Sequence, residues 1–302
     1  VMIEQVKSHT RELEARVRER TSELKEKSVL LERAKEQAES AHAAKAQALH
    51  NILESIQYAQ TIQQASLTTE EQLRGLVSDC FTIWQPKDVI SGDIIWSKTF
   101  DDGFALAVAD CTGHGVPGGI MTMAAVSALD RVVSPSGVAD SQRVLQGVSR
   151  VVQEMLANHA TERSSEDGLD MGLCVYSRST QTLYFTGSRI SLFYDDGDGI
   201  REVKGDRASL GYPSSDPMYP FQTHAMKALP ATRFYLTTDG LIDQVGEETG
   251  LPLGKRRLTA QLQRMEGLSF AEQRQAVLDM LAAFQGGECQ RDDITVVGFQ
   301  LS

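Results

Sequence analysis

The chain has 302 residues, 41% of them hydrophobic and 24% charged, and a net charge of −11 at pH 7. This length predicts one large domain or two, and no run approaches the roughly 18 apolar residues that span a membrane. The surplus of acid lies in residues 61–302, with 20 basic and 31 acidic residues, which argues against nucleic acid as the main partner because phosphate backbones are bound by clustered lysine and arginine.

The cysteines and the start of the chain bear on its location. Cys80, Cys111, Cys174 and Cys289 show no paired spacing, so we expect a reducing compartment, the cytoplasm, and neither disulfides nor a zinc site. No signal-peptide pattern is present. Because Val1 already lies in a charged helical pattern, we expect a piece of a longer protein, in which only a missing upstream segment would supply a membrane anchor.

The first part of the chain predicts one long helix, since residues 1–57 contain neither proline nor glycine. With Ile3 at heptad position a, position d is interrupted by Arg20 and Lys27, as in a coiled coil with polar breaks. Position a carries Ile3, Thr10, Val17, Leu24, Leu31 and Ala38. We favour a parallel homodimer through residues 1–60 over the alternative of a solvated spacer helix.

A change of pattern marks the end of this helix. Residues 51–64 become more apolar, with Tyr58 and Ile62 among them, and we expect them to pack on a globular body. A loop and a fresh helix cap follow at residues 66–71. We therefore predict a connector helix at residues 1–65 and a globular domain at residues 66–302.

The body alternates groups of strands with pairs of helices. We predict strands at 80–84, 89–97, 104–110, 171–176, 183–186, 192–194, 233–238 and 294–301. We predict helices at 120–133, 144–159, 258–265 and 270–284, and a loop at 205–223. The second and third strands form a hairpin through residues 101–103. This order indicates an α+β fold with largely antiparallel sheets.

One aspartate stands out at a strand end. The apolar run 104–109 stops at Asp110, and Cys111 and a glycine-containing turn follow. A carboxylate beside open backbone can meet a hard cation together with a carbonyl oxygen. The alternative is an aspartate that caps the next helix.

Three further acids occur in the same setting. Asp239 follows a strand and precedes a glycine, Asp292 opens the last strand, and Asp93 follows Gly92 inside a predicted strand. Four such acids predict a shared carboxylate cluster, which would repel itself without a counter-charge. Because no histidine-rich spacing supports zinc, Mg²⁺ or Mn²⁺ is the expected cation.

Taken together, several motifs resemble one family. They are Ser55-Ile56-Gln57-Tyr58-Ala59 with Ile62-Gln63, Lys87-Asp88-Val89-Ile90-Ser91-Gly92-Asp93, Ala109-Asp110-Cys111-Thr112-Gly113-His114-Gly115, Thr238-Asp239-Gly240-Leu241 and Asp292-Asp293-Ile294-Thr295. In this order, the chain from about Asn51 onward resembles the metal-dependent protein serine/threonine phosphatases of the protein phosphatase 2C (PPM) superfamily, in its bacterial SpoIIE-type branch. The resemblance implies a central antiparallel β-sandwich flanked by helix pairs, preceded here by the coiled coil.

The resemblance also implies roles for the four acids. Asp110 matches the acid that bridges two metal ions, with the carbonyl of Cys111 as a further ligand, and Asp239 and Asp292 match the acids of the second ion. Asp93 matches an acid near the first ion, bound directly or through water. Two Mn²⁺ or Mg²⁺ ions would activate a shared water to attack phosphorus in line, without a covalent phosphoenzyme.

Three neighbouring residues are interpreted with less specific roles. Asp170 matches either a ligand of a third ion or a strand cap, and we leave both open. Asp293 is interpreted as a structural neighbour of Asp292. His114 lies two residues further from the acid than the histidine of the eukaryotic enzymes that protonates the leaving group, so we favour a turn or helix-start residue over that catalytic role.

The resemblance finally implies a partner. SpoIIE-type relatives act on phosphoserine or phosphothreonine of STAS-domain proteins, the antagonists of anti-sigma factors, so we expect such a protein as the substrate. The alternatives are a catalytically weak dimeric signalling scaffold and a metallophosphohydrolase of a small molecule. The helices at 120–133 and 144–159 match the pair that shifts when such enzymes are activated.

Overall fold

The computed structural model describes residues 2–134, 137–138, 140–157, 166–229 and 232–301. The chain divides into two compact units, Val1–Ser55 and Ile56–Ser302. Helix α1 (Met2–Ser66) makes up the described part of the first unit and ends in the second. Among the described residues, no helix is both long and apolar enough to cross a membrane.

The second unit holds the remaining elements. Its helices are α2 (Glu70–Arg74), α3 (Gly115–Val132), α4 (Ser141–Ala157), α5 (Asp239–Asp243), α6 (Gly254–Arg264) and α7 (Phe270–Gln285). Its strands are β1 (Asp79–Gln85), β2 (Asp93–Phe100), β3 (Gly103–Cys111), β4 (Leu169–Ser177), β5 (Thr182–Ser188), β6 (Leu192–Asp195), β7 (Ile200–Val203), β8 (Thr223–Lys227), β9 (Arg233–Thr237) and β10 (Ile294–Gln300).

The strands form two five-stranded sheets. The first sheet has the order β1-β10-β9-β6-β7 and the second has the order β2-β3-β4-β5-β8. Every pairing between these strands is antiparallel. The predicted α+β fold with antiparallel sheets is therefore confirmed, and so is the hairpin between β2 and β3, in which Phe100 pairs with Gly103.

Side-chain alternation along β3 defines the layers. Phe104, Leu106 and Val108 pack in an apolar cluster with residues of both sheets. The intervening Ala105, Ala107 and Ala109 pack in a second cluster with residues of α3 and α4. A third cluster joins the other face of the first sheet to α6 and α7. The unit is a β-sandwich covered by a helix pair on each outer face, as the resemblance implied.

Helix α3 begins five residues earlier than predicted, at Gly115. Pro117 is compatible with the first helical turn, and the two glycines after it are required by packing. A Cβ atom on Gly118 would lie 2.2 Å from the carbonyl oxygen of Gly113, and one on Gly119 would lie 2.1 Å from Cγ2 of Ile90. Close packing thus overrides the low helix propensity of glycine.

Other element boundaries also differ from the prediction. Strand β2 begins at Asp93 instead of residue 89, and α5, β7 and β8 had not been predicted. Helix α4 ends at Ala157, and the predicted continuation over residues 158–159 lies outside the described residues. The short β7 and β8 are only partly buried, so neither carries the continuous apolar run of a core strand.

The end of α1 attaches to the body through a polar side chain. The prediction that the apolar residues here would pack was wrong for Tyr58 and Ile62, which are 70% and 43% exposed. Gln63 is buried instead, and its Nε2 donates to the carbonyl of Ser91 at 2.6 Å and to Oγ1 of Thr122 at 2.8 Å. The amide of Ser91 donates back to Gln63 Oε1 at 3.1 Å. This network joins α1 to α3 and to the segment before β2.

Candidate functional site

Three acids lie side by side at one end of the second sheet. Asp93 on β2 pairs with Asp110 on β3, and Asp110 pairs with Asp170 on β4. Residues directly opposite one another in antiparallel strands have Cβ atoms roughly 4.5–5.5 Å apart on the same face. Since Val108, two residues before Asp110, packs between the sheets, the three carboxylates project toward the first sheet.

The first sheet brings two further acids to the same end. Asp239 follows β9 and opens α5, while Asp292 precedes β10, the neighbour of β9. Thr238 links the sheets, because its Oγ1 donates to Oδ2 of Asp93 at 2.8 Å and accepts from the amide of Thr295 at 3.1 Å. We refer to Asp93, Asp110, Asp170, Asp239 and Asp292 as the acid cluster.

Asp293 has a structural position, in agreement with its interpretation from the sequence. Its side chain is buried, and its carboxylate oxygens accept from the amides of Lys87 and Gly92, both at 2.6 Å. Two glycines permit the close backbone approach around it. A Cβ atom on Gly240 would lie 1.9 Å from the carbonyl oxygen of Asp293, and one on Gly92 would lie 2.6 Å from that of Gly113.

A cavity of about 220 Å³ opens at the acid cluster. Asp110, Asp170 and Asp239 line it, so the structure brings the acids of both sheets to one space. Asp93 is only 1% exposed and lies beside Asp110 in the strand ladder instead of on the cavity wall. Asp292 is exposed and does not line the cavity.

Burial and mutual repulsion raise the proton affinity of these carboxylates. Burial, followed by the charges of the other four members of the acid cluster, raises the pKa of Asp110 to about 9. Burial raises the pKa of Asp93 well above its usual range, in spite of the hydrogen bond from Thr238. Burial, followed by the charges of Asp243 and Asp292, raises the pKa of Asp239. The cluster therefore cannot ionise fully at neutral pH without a counter-charge.

The oxygen atoms of the cluster suit a hard divalent cation. Oδ1 of Asp93 and Oδ1 of Asp170 are buried and have no hydrogen-bond partner in the described structure, a costly state that a cation would relieve. Among the described residues, no three aspartate, glutamate, histidine or cysteine side chains converge on one point. The acids instead are neighbours in the strand ladder, Asp93 beside Asp110 and Asp110 beside Asp170, with Asp239 on the cavity wall. An all-oxygen donor set of this kind fits Mg²⁺ or Mn²⁺.

Three charged residues of the cavity wall were not found from the sequence: Asp243, Arg189 and Lys255. Asp243 follows Asp239 by one helical turn in α5, a spacing that could have identified it. Arg189 and Lys255 carry no local signal. Nε of Arg189 lies 3.3 Å from Oδ2 of Asp170, so Asp170 contacts a cationic side chain in this structure.

His114 lies at the N-terminal end of α3, as interpreted from the sequence. It is the residue before the first helical position and makes no side-chain capping bond to α3. Its Nδ1 is instead 2.5 Å from Oδ2 of Asp88, and both side chains are about half exposed. His114 does not line the cavity at the acid cluster.

A second, larger cavity lies elsewhere on the second sheet. It has a volume of about 570 Å³ and is lined by Phe100, Asp102 and Tyr184 among others. These residues belong to the end of the sheet opposite to Asp110. None of the acid cluster contributes to its wall.

Comparisons with known proteins agree on one family. The family model described as Stage II sporulation protein E (SpoIIE) matches residues 101–302. The solved SiaA-PP2C domain of Pseudomonas aeruginosa is 34% identical, with a TM-score of 0.75, and the alignment covers 84% of this chain and 99% of that one. No curated protein sequence matches the chain.

Two more distant structures share the fold. The PP2C phosphatase domain of SpoIIE from Bacillus subtilis, with a fragment of its regulatory domain, is 16% identical with a TM-score of 0.55, covering 74% of this chain and 61% of that one. The PPM Ser-Thr phosphatase MsPP from Mycobacterium smegmatis, in complex with cacodylate, is 14% identical with a TM-score of 0.52, covering 75% and 99%.

The raised pKa of Asp110 predicts a pH-dependent effect of Asp110→Asn on the metal-free protein. In the folded state the Asp110 carboxyl keeps its proton up to a pH of about 9. In the unfolded chain an aspartate releases its proton near pH 3.9. The contribution of Asp110 to stability is therefore present at low pH and is lost as the pH rises between these two values. Between pH 5 and pH 8 this loss amounts to about 4 kcal/mol, so we expect Asp110→Asn to raise the Tm in EDTA at pH 8 by roughly 8–16 °C more than at pH 5.

Thermal unfolding followed by circular dichroism measures this difference. The control is Asp279→Asn, on the exposed face of α7, where the carboxylate accepts a hydrogen bond only from Gln275 one turn earlier. An equal Tm change at both pH values for Asp110→Asn would show that Asp110 titrates normally.

Proposed function

We infer that this chain, which belongs to the SpoIIE family and is a PPM-type protein serine/threonine phosphatase, holds two Mn²⁺ or Mg²⁺ ions in its acid cluster. We propose that these ions serve the hydrolysis of phosphoserine or phosphothreonine on a partner protein. The main support is the antiparallel register, in which Asp110 is flanked by Asp93 and Asp170. Asp239, from the other sheet, lines the same cavity as Asp110. A buried acid surrounded by acids is the arrangement that a pair of cations stabilises.

The proposed ligands are the four acids predicted from the sequence and one carbonyl group. Asp110 and the carbonyl of Cys111 would contact the ions from the second sheet, and Asp239 and Asp292 would do so from the first. Asp93 has one oxygen fixed by Thr238 and the other unpartnered, which fits a ligand held directly or through water. When bound, the ions would neutralise charge on the phosphoryl group and lower the pKa of a water molecule.

For the substrate, we propose a phosphorylated STAS-domain protein. The support is the resemblance to SpoIIE-type phosphatases, together with the family match over residues 101–302. The cavity at the acid cluster is small, about 220 Å³, which suits a single phosphorylated side chain presented by a protein. We place the reaction in the cytoplasm, since Cys80, Cys111 and Cys174 are buried free thiols.

The first test is Mn²⁺-dependent release of phosphate from a phosphoserine STAS protein. We expect the wild-type chain to be active and EDTA to abolish the activity. We expect Asp110→Ala to lower kcat by at least about 10²-fold, because it removes a charge that holds both ions. The control, Asp279→Asn, removes a carboxylate from the exposed face of α7 and should keep full activity.

The same assay separates the alternatives. Hydrolysis of para-nitrophenyl phosphate without turnover of phosphoprotein would favour a small-molecule phosphohydrolase. No Mn²⁺-dependent phosphate release from either substrate would contradict the proposal and favour a signalling scaffold.

We also propose that residues 1–60 form a parallel coiled-coil homodimer. Val17, Leu24 and Leu31, all at heptad position a, are more than half exposed on α1. Such an apolar row leaves a single helix without burial for its hydrophobic face, and a second copy would cover it.

Paired substitutions on two faces of α1 test the dimer. We expect Leu24→Glu combined with Leu31→Glu to give a monomer in light-scattering chromatography, because like charges would face each other across the seam. Ser22→Glu with Val29→Glu introduces the same charges at position f and should leave the dimer intact. The proposal is wrong if both pairs give the same oligomeric state as the wild type.

A further inference from the structure

Two cationic side chains line the cavity at the acid cluster. Arg189 lies in the connection between β5 and β6, and Lys255 lies in the first turn of α6. Both face a space that also contains Asp110, Asp170 and Asp239. A cation on the wall of a site for metal ions is unfavourable for binding the ions, so its presence points to an anion that enters the same space.

Lys255 is already committed to other partners. Its Nζ lies 2.6 Å from Oε1 of Glu202 and donates to Oγ of Ser191 at 3.1 Å. The charge of Lys255 is therefore neutralised by Glu202 within the fold. This ion pair leaves Arg189 as the cation with free capacity.

Arg189 has donors available on one edge of its guanidinium group. Its Nε faces Asp170 Oδ2 at 3.3 Å, and its side chain is 58% exposed. Among the described residues its terminal nitrogens make no hydrogen bond. The ion pair with Asp170 engages the Nε side of the group, while the edge formed by the two terminal nitrogens stays open for a second, bidentate partner.

The backbone at Arg189 is held in an unusual conformation. Its φ is +57°, in the left-handed region that costs a residue with a Cβ atom about 1 kcal/mol. The conformation is fixed, because the amide of Arg189 donates to the carbonyl of Asp206 at 2.7 Å and the amide of Ile190 donates to that of Ser188 at 2.7 Å. Glycine would fit this turn with less strain. The arginine side chain at this position therefore has a role other than shaping the turn.

We propose that Arg189 binds the non-bridging oxygens of the substrate's phosphoryl group, with Asp170 orienting its guanidinium plane. The inference rests on the proposed phosphatase function and names the residue that selects a phosphate monoester dianion. A planar guanidinium edge matches two phosphate oxygens, which an ammonium group does not. The acids and their ions would bind the phosphoryl group from one side, and Arg189 would bind it from the wall formed by the β5–β6 connection.

The test compares Arg189→Asn, Arg189→Lys and a control, Arg178→Asn, in the full chain with Mn²⁺. Asparagine tolerates the left-handed conformation, so the fold at residue 189 is kept. Arg178 is exposed in the β4–β5 turn at the end of the sheet opposite to Asp170. Three quantities are measured: the inhibition constant of inorganic phosphate, the Tm increase caused by phosphate, and the Mn²⁺ concentration that gives half-maximal activity.

We expect Arg189→Asn to raise the inhibition constant of phosphate and the KM by about 10- to 100-fold, with Arg189→Lys between it and the wild type. The phosphate-induced Tm increase should shrink in parallel, and the control should behave as the wild type. The Mn²⁺ requirement should stay the same or fall, because the substitution removes a cation from the wall of the metal site. An altered Mn²⁺ requirement with unchanged phosphate inhibition would overturn the inference and make Arg189 only a support for Asp170.

Failure of the proposed function gives a different result. A wild-type chain that turns over no phosphomonoester refutes that function, whereas Tm measurements with phosphate still report on Arg189. If the wild type is active and phosphate inhibits Arg189→Asn as strongly as it inhibits the wild type, the inference about Arg189 is refuted and the proposed function is not.

Discussion

The buried carboxyl group of Asp110, surrounded by other acids, is the constraint on which the candidate site depends. Its carboxylate lies between Asp93 and Asp170 in the strand ladder and shares a cavity with Asp239. Burial and these neighbours raise its pKa to about 9. Such a cluster does not stabilise the fold, so we attribute it to ligand binding. Divalent cations would neutralise the carboxylates, and the bound cations would then attract a phosphoryl group.

The sandwich holds the repelling carboxylates together with its backbone. Asp93 and Asp110 belong to paired strands whose hydrogen bonds fix their separation whatever their charge. Thr238 and Asp293 then tie the two sheets together at this end, through hydrogen bonds to Asp93 and to the amide of Gly92. The apolar cluster between the sheets provides the burial free energy that offsets this local repulsion.

Much of the site could be predicted because its signals are local. Asp110 and Asp239 each follow an apolar run, with Gly240 next to Asp239 and Gly113 soon after Asp110, a pattern visible in a few residues. The partners of these acids depend on long-range pairing: the register of Asp110 with Asp170 joins strands separated by a helix pair. Arg189 lines the cavity because the turn between β5 and β6 places it there. Gln63 is a buried polar residue in a helix that is otherwise mostly exposed. No periodicity encodes either position.

The number of metal ions bound per chain tests the central claim most directly. After equilibrium dialysis against Mn²⁺, elemental analysis by mass spectrometry should find two ions per wild-type chain and fewer than one per chain of Asp110→Asn, because Asp110 is proposed to contact both. A wild-type chain that retains no Mn²⁺ at millimolar concentration, or an Asp110→Asn chain that binds as many ions as the wild type, would contradict the account.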